Sequence, residues 1–191
     1  MFVTHELIIA GFGGQGALSM GQILAYAATI EGREVSWMPS YGPEMRGGTA
    51  NCIVIVAEKR ISSPIVTMFD SAIVLNQPSL DKFLPRVKTG GLVLVEESTV
   101  KVPPGSPALE VVRIAAVHEA DILGARQVAN TVMLGAFLAK RPLVQVESVV
   151  KALEKVLPPH RRHLLDMNRR ALERGAELAG HSEKLTAGST A

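Results

Sequence analysis

Residues 11–16 read GFGGQG, directly behind the apolar run Leu7, Ile8, Ile9, Ala10 and directly ahead of a helix-patterned stretch. A strand feeding a glycine turn feeding a helix places free backbone N–H groups and the positive end of a helix dipole at one point, where a phosphate or carboxylate can bind. The turn therefore predicts an α/β chain with an anion site at the end of its first strand. Which anion it takes is not written in the turn.

The rest of the pattern agrees with that class. At 191 residues, 47% hydrophobic and 20% charged, the chain can bury a core of its own. A single domain over residues 1–180 is expected, with a polar, disordered tail at 181–191. Strands are expected at residues 6–10, 34–38, 50–56, 71–76, 91–95 and 109–114, and helices at 17–31, 78–87, 127–139, 144–157 and 161–179. Glu58, Lys59 and Arg60 are read as a turn joining strand 50–56 to an antiparallel partner at 61–66. The expected architecture is a Rossmann-like open sheet, mostly parallel with that one antiparallel hairpin, and helices on both faces.

Composition narrows the function. A formal charge of +2 and an aromatic content of 4% argue against nucleic-acid binding. The first residues show no basic segment followed by a long apolar one, and no apolar run is long enough for a membrane span, so a cytoplasmic protein is expected. The one cysteine, Cys52, lies in an apolar run and reads as a buried small hydrophobe. A single thiol cannot hold an iron–sulfur cluster or a cysteine-rich zinc site.

GxGxxG alone does not make a dinucleotide site. The fingerprint also asks for an acid at the end of the second strand, where Trp37, Met38, Pro39 and Ser40 stand instead. Nor is the turn a P-loop, because Ala17 and Leu18 occupy the positions of the Lys and Ser/Thr. Two readings stay open: an anion site, or glycines that serve only a tight turn and close helix packing.

The segment 39–49, PSYGPEMRGGT, leaves the end of the second strand beside the first turn. Pro43 stiffens it, and Arg46 offers a guanidinium suited to a bidentate pair with phosphate or carboxylate. Alternatively, Glu44 and Arg46 pair with each other and hold the loop.

Together, GFGGQG, WMPSYGPEMRGGTANC, LNQPSLDKF and RQVANTVMLGAF resemble successive segments of the gamma subunit of 2-oxo acid:ferredoxin oxidoreductases, over about residues 6–179. The resemblance implies CoA-dependent oxidative decarboxylation of a 2-oxo acid, 2-oxoglutarate being favoured, to acyl-CoA, CO2 and reduced ferredoxin. It places thiamine diphosphate and Mg, and the iron–sulfur clusters, on alpha, beta and ferredoxin-like delta subunits, with ferredoxin as acceptor. This chain has one cysteine and lacks the GDG pattern of a thiamine diphosphate site, so no catalytic residue and no metal ligand are expected on it.

Under the resemblance, Gly11, Gly13, Gly14, Gln15, Gly16 and Arg46 lie near an anionic group, with CoA as a candidate contact and the Gln15 side chain as an added donor. Tyr41, Glu44, Met45 and Arg46 would face a partner subunit. A homodimer of the isolated chain is also expected. The alternative is a stand-alone nucleotide- or CoA-binding Rossmann-like module.

Other polar residues read more plainly. Asn130 is expected to cap the helix at 127–139 or to satisfy a nearby loop, and Asn76 and Gln77 either shape a turn or line the sheet edge. His160, His163 and Asp166 share a helical face, but Arg161 and Arg162 oppose a cation there.

Overall fold

The apolar run behind the glycine turn becomes a central strand. In the computed structural model, which describes residues 4–41, 49–103 and 108–186, β1 (Thr4–Phe12) lies between β3 (Thr49–Ala57) and β4 (Phe69–Val74). β2 (Glu34–Tyr41) flanks β3, while β5 (Val87–Glu96) and β6 (Glu110–Ile114) extend the sheet beyond β4, giving the order β2-β3-β1-β4-β5-β6. Only β3 runs against the others: it is antiparallel to β1 and β2, while β1–β4, β4–β5 and β5–β6 are parallel.

The mostly parallel α/β sheet is thus as expected, but its antiparallel element is not the expected hairpin. β3 already has β1 on one edge and β2 on the other, so no edge is left for residues 61–66. That segment is irregular, Pro64 lacks an N–H for a ladder, and Ile65 is 76% exposed.

Helices cover the two faces unequally. α1 (Ala17–Ile30), α3 (Ala116–Ile122), α4 (Ala129–Lys140), α5 (Val146–Val156) and α6 (Leu165–Thr186) pack on one face, around alternate strand residues such as Leu7, Ile9, Val54, Ile73 and Leu94. On the other face, Ile8, Ala10, Val74 and Val93 meet α2 (Gln77–Phe83) and irregular segments. The period-two alternation of the strands sorts their residues into these two cores.

The short α3 is absent from the sequence reading; its only buried helical residues are Ala116, Glu119 and Ala120, too few to leave a periodic signal. α2 ends before Pro85 and passes into a 3₁₀ turn, Leu84–Arg86. The start expected at residue 161 is also a 3₁₀ turn, Pro159–Leu164, and α6 carries on through Thr186 rather than ending at 179. Residues 187–191 of the expected tail lie outside the described residues.

α4 is buried on every side, from Thr131 through Leu138 without interruption, as befits a helix enclosed by other elements. Its closest neighbour is α6, and two glycines permit that approach. A Cβ on Gly135 would run into the backbone oxygen of Leu172, and one on Gly175 into that of Val132. Thr131 Oγ1 donates to Asn168 Oδ1 at 2.6 Å, a buried polar tie between the same two helices.

At the end of β1 away from the glycine turn, His5 is buried and pairs through Nε2 with Ser71 Oγ at 3.1 Å. Burial is the main cause that lowers its pKa from 6.5 to about 4; Asp70 and Glu6 oppose the shift, while Arg141 and Lys88 add to it. The folded state therefore keeps His5 neutral where the unfolded chain takes up a proton. Its stabilising effect is complete above pH 6.5 and is lost as pH falls toward 4, by on the order of 3 kcal/mol. Urea midpoints measured across that window should fall steeply for the parent and less steeply for His5→Gln. Equal slopes would mean that His5 is not the titrating group.

No helix among the described residues is long and apolar enough to cross a membrane.

Candidate functional site at the glycine turn

α1 leaves β1 toward one face of the sheet and α2 leaves β4 toward the other. Where neighbouring parallel strands send their chains to opposite faces, a crevice opens beyond the strand ends. A cleft of about 880 Å³ lies there, lined on one side by Gly13, Gly14, Gln15 and Gly16.

The turn is shaped by left-handed backbone at Gly14 (φ 98°) and Gly16 (φ 83°), which glycine adopts without steric cost. The Gln15 amide donates to Phe12 O at 3.1 Å, whereas the amides of Gly13, Gly14 and Gly16 take no partner among the described residues. Gly11 does not line the cleft. It belongs to β1, and a Cβ there would sit 2.8 Å from Gln15 Oε1 and 3.0 Å from Leu75 Cβ, so its role is to make room beneath the turn.

Helix starts lie at this cleft and beside it, and their N–H groups must be accounted for. At α2, Asn76 Oδ1 accepts from Ser79 N at 2.9 Å, settling Asn76 as a cap. At α3, the Val117 amide donates to Glu96 Oε2 at 3.2 Å. α1 has no side-chain cap, its capping position being Gly16, whereas α4 continues from a 3₁₀ turn, Arg126–Val128, so that the Val128 and Ala129 amides already donate to Ala125 O and Arg126 O. The two helices adjoin here, since a Cβ on Gly16 would lie 2.8 Å from Asn130 Nδ2. Asn130 is not the expected cap: it is the second residue of α4, with its side chain against Gly16 and on the cleft wall.

Charge at the cleft favours an anion. The Glu96 carboxylate is 3% exposed, and its Oε1 accepts from Ser98 N at 3.1 Å and Ser98 Oγ at 2.6 Å besides the α3 bond. Its negative charge is thus held within the protein. Arg126 and Arg161 contribute cations to the lining; Arg126 pairs at 3.3 Å with Asp121 at an exposed position, where such a pair holds only weakly. Sequence reading passed over Glu96 and Thr99, whose only signal is their place just past a strand.

Gln15 behaves differently from expectation. Its side chain turns back into the sheet edge: Oε1 accepts from Phe12 N at 2.6 Å, and Nε2 donates to Leu75 O at 3.0 Å.

The second loop lies largely outside the described residues, including Glu44, Met45 and Arg46, as does the Tyr41 side chain. Its flanks are fixed: Tyr41 ends β2 opposite Ala50, and Thr49 opens β3 opposite Phe12, so both ends of the segment meet the sheet edge that carries the glycine turn. Ala50 itself lines the cleft.

Neither a redox centre nor a metal finds ligands in these residues. Cys52 is fully buried, 3.5 Å from Ala17 O, and burial pushes its thiol up to about 12, so it stays protonated. Among the described residues no group of three or more His, Cys, Asp or Glu is placed to hold a metal ion. The wall of the cleft combines the glycine-turn backbone, the hydroxyl residues Ser19, Ser98 and Thr99 and the cations Arg126 and Arg161 with apolar residues such as Leu75 and Met133.

Residues 6–178 match the family model described as "Pyruvate ferredoxin/flavodoxin oxidoreductase". Ketoisovalerate oxidoreductase subunit VorA of Methanothermobacter thermautotrophicus is 44% identical over 178 residues, covering 93% of this chain and 37% of that protein. The chain thus spans little more than a third of that relative's length. 2-Oxoglutarate synthase subunit KorC of Methanocaldococcus jannaschii is 34% identical over 181 residues, covering 93% of this chain and 95% of that protein. Among solved structures, the gamma subunit of keto/oxoacid ferredoxin oxidoreductase from Geobacter sulfurreducens PCA superposes with a TM-score of 0.77 at 32% identity, over 92% of this chain and 98% of that one.

Proposed function

We propose, for a chain that belongs to the pyruvate ferredoxin/flavodoxin oxidoreductase family, that it serves as the gamma-type component of a cytoplasmic, multi-subunit 2-oxo acid:ferredoxin oxidoreductase and seats an anionic group of coenzyme A in the cleft at the glycine turn. The observation that carries the binding role is the glycine turn at the start of α1, where no side chain caps the helix and the Gly13, Gly14 and Gly16 amides take no partner among the described residues. Phosphate oxygens are matched by such amides, and the helix dipole adds to the attraction. Thiamine diphosphate, Mg and the iron–sulfur clusters belong on alpha-, beta- and delta-type partners, in keeping with the single buried cysteine of this chain. Decarboxylation and electron transfer then take place on those partners, with ferredoxin as acceptor. Tyr41, Glu44, Met45 and Arg46 are proposed to face them.

Two substrate branches draw support. Full-length similarity to a 2-oxoglutarate synthase subunit agrees with the branch favoured by the motifs, while the higher identity to a ketoisovalerate oxidoreductase subunit supports a branched-chain 2-oxo acid. Comparing kcat/KM for 2-oxoglutarate and ketoisovalerate in the assembled enzyme separates them.

The test of the assignment is recovery of the tagged chain from its native cells. It should bring down chains with GDG and cysteine-rich cluster motifs, and the assembly should oxidise a 2-oxo acid with CoA while reducing ferredoxin. The isolated chain, given thiamine diphosphate and an electron acceptor, should not. Turnover by the isolated chain, or recovery without such partners, would sink the subunit reading and favour a stand-alone nucleotide- or CoA-binding module.

A further inference from the structure

The glycine turn is held by very few bonds of its own, and most of them run through one side chain. Gln15 stands between the two left-handed glycines, Gly14 and Gly16. Among the described residues, the one backbone bond across the turn is from Gln15 N to Phe12 O at 3.1 Å. The other ties are made by the Gln15 amide group. Oε1 accepts from Phe12 N at 2.6 Å and from Asn76 Nδ2 at 3.4 Å, and Nε2 donates to Leu75 O at 3.0 Å.

Each of those partners is fixed independently. Asn76 caps α2 through its other amide atom. Leu75 O also accepts from Thr99 Oγ1 at 2.9 Å, which brings in the segment after β5. One carboxamide therefore joins the end of β1, the end of β4 and the start of α2. Gly11 supplies the room, because a Cβ there would press on Gln15 Oε1.

We propose that Gln15 is the positioning residue of the turn: its carboxamide holds the Gly13, Gly14 and Gly16 amides in the shape that receives an anionic ligand, without itself touching that ligand. The role requires an acceptor and a donor on one short planar group. Glutamate keeps the acceptor toward Phe12 N but sets a carboxylate oxygen against Leu75 O. Methionine has similar length and supplies neither bond in comparable strength. The inference rests on the reading of the cleft as an anion site.

The test uses the assembled enzyme, with CoA as the varied substrate. Gln15→Met should raise KM for CoA roughly 10-fold or more, with kcat at saturating CoA within about twofold, because the turn is loosened while the partners' chemistry is intact. Gln15→Glu, with one bond kept, should fall between Met and the parent. Ser71→Ala is the stability control: it removes the partner of His5 at the far end of β1 and should lower the melting temperature without moving KM. If Gln15→Met and Gln15→Glu both keep the parental KM while Gly16→Val raises it, the positioning role is wrong and the anion site stands. If Gly16→Val also leaves KM unchanged, the anion-site reading fails and the role of Gln15 falls with it.

Discussion

Gly175→Val should abolish cooperative folding of the chain. A Cβ at this position meets the Val132 backbone oxygen, and the Ala136 amide lies 2.8 Å from the same point. Backbone atoms of a neighbouring helix cannot swing aside as a side-chain end can, so α4 and α6 would have to separate. That separation opens the core around Val132, Met133 and Leu172, all essentially inaccessible. Overpacking of this kind costs about 1–3 kcal/mol for a single methylene and more for a branched side chain, against a total stability of roughly 5–15 kcal/mol.

Gly180→Ala supplies an internal comparison, because a Cβ there meets nothing within 4 Å in the same helix. It should stabilise the chain by about 0.5–1 kcal/mol through helix propensity alone. Denaturant titrations of Gly175→Ala and Gly180→Ala should therefore move in opposite directions. Stabilisation by both would show that α4 and α6 are not in backbone contact.

The second large effect belongs to the cleft. Gly16→Val places a branched side chain at φ 83°, a region that β-branched residues avoid, and presses it on the Asn130 side chain. The start of α1 must then change shape, and its free amides with it. In the assembled enzyme kcat/KM for CoA should fall by roughly 10- to 100-fold, the equivalent of one or two lost charge-assisted hydrogen bonds. Gly14→Ala should be milder, since its Cβ meets nothing and only the backbone strain of about 1–2 kcal/mol remains. Unaltered CoA kinetics in Gly16→Val, with the complex intact, would remove the glycine turn from ligand binding.

The elements legible in the sequence were those whose signal is local. The strand, glycine turn and α1 follow one another without a gap, and each has its own signature: an apolar run, glycines at left-handed positions, and apolar residues at helical spacing. Strand pairing is not local in that sense. Residues 58–60 resemble a hairpin turn, but whether a strand can add there depends on the edges of β3, and β1 and β2 occupy both. α2 and α3 are both seven residues long, too short to show a period; α2 is marked by Asn76 and Pro78 at its start, whereas α3 opens on Ala115 and Ala116 with no such signal.

The side chains of the candidate site divide the same way. That glycines at 11, 13, 14 and 16 serve a strand-to-helix turn was evident from their order. Separating Gly11, which makes room below the turn, from Gly14 and Gly16, which shape it, needed the positions of Gln15 and Leu75. Gln15 read as a donor to a ligand, Asn130 as a cap, and Glu96 not at all. Their partners lie 60 residues away for the Gln15–Leu75 bond and 21 for the Glu96–Val117 bond, and for Asn130 across two helix starts.

The sequence by itself thus determined the class of fold, the family and the presence of a strand–glycine turn–helix unit, because these rest on contiguous motifs and on periodicity. Only the tertiary structure decided which helix starts are left uncapped and which amides remain free. A hydrogen-bond partner is chosen by proximity in space, and proximity between distant segments is set by how the strands pair and which face each helix covers.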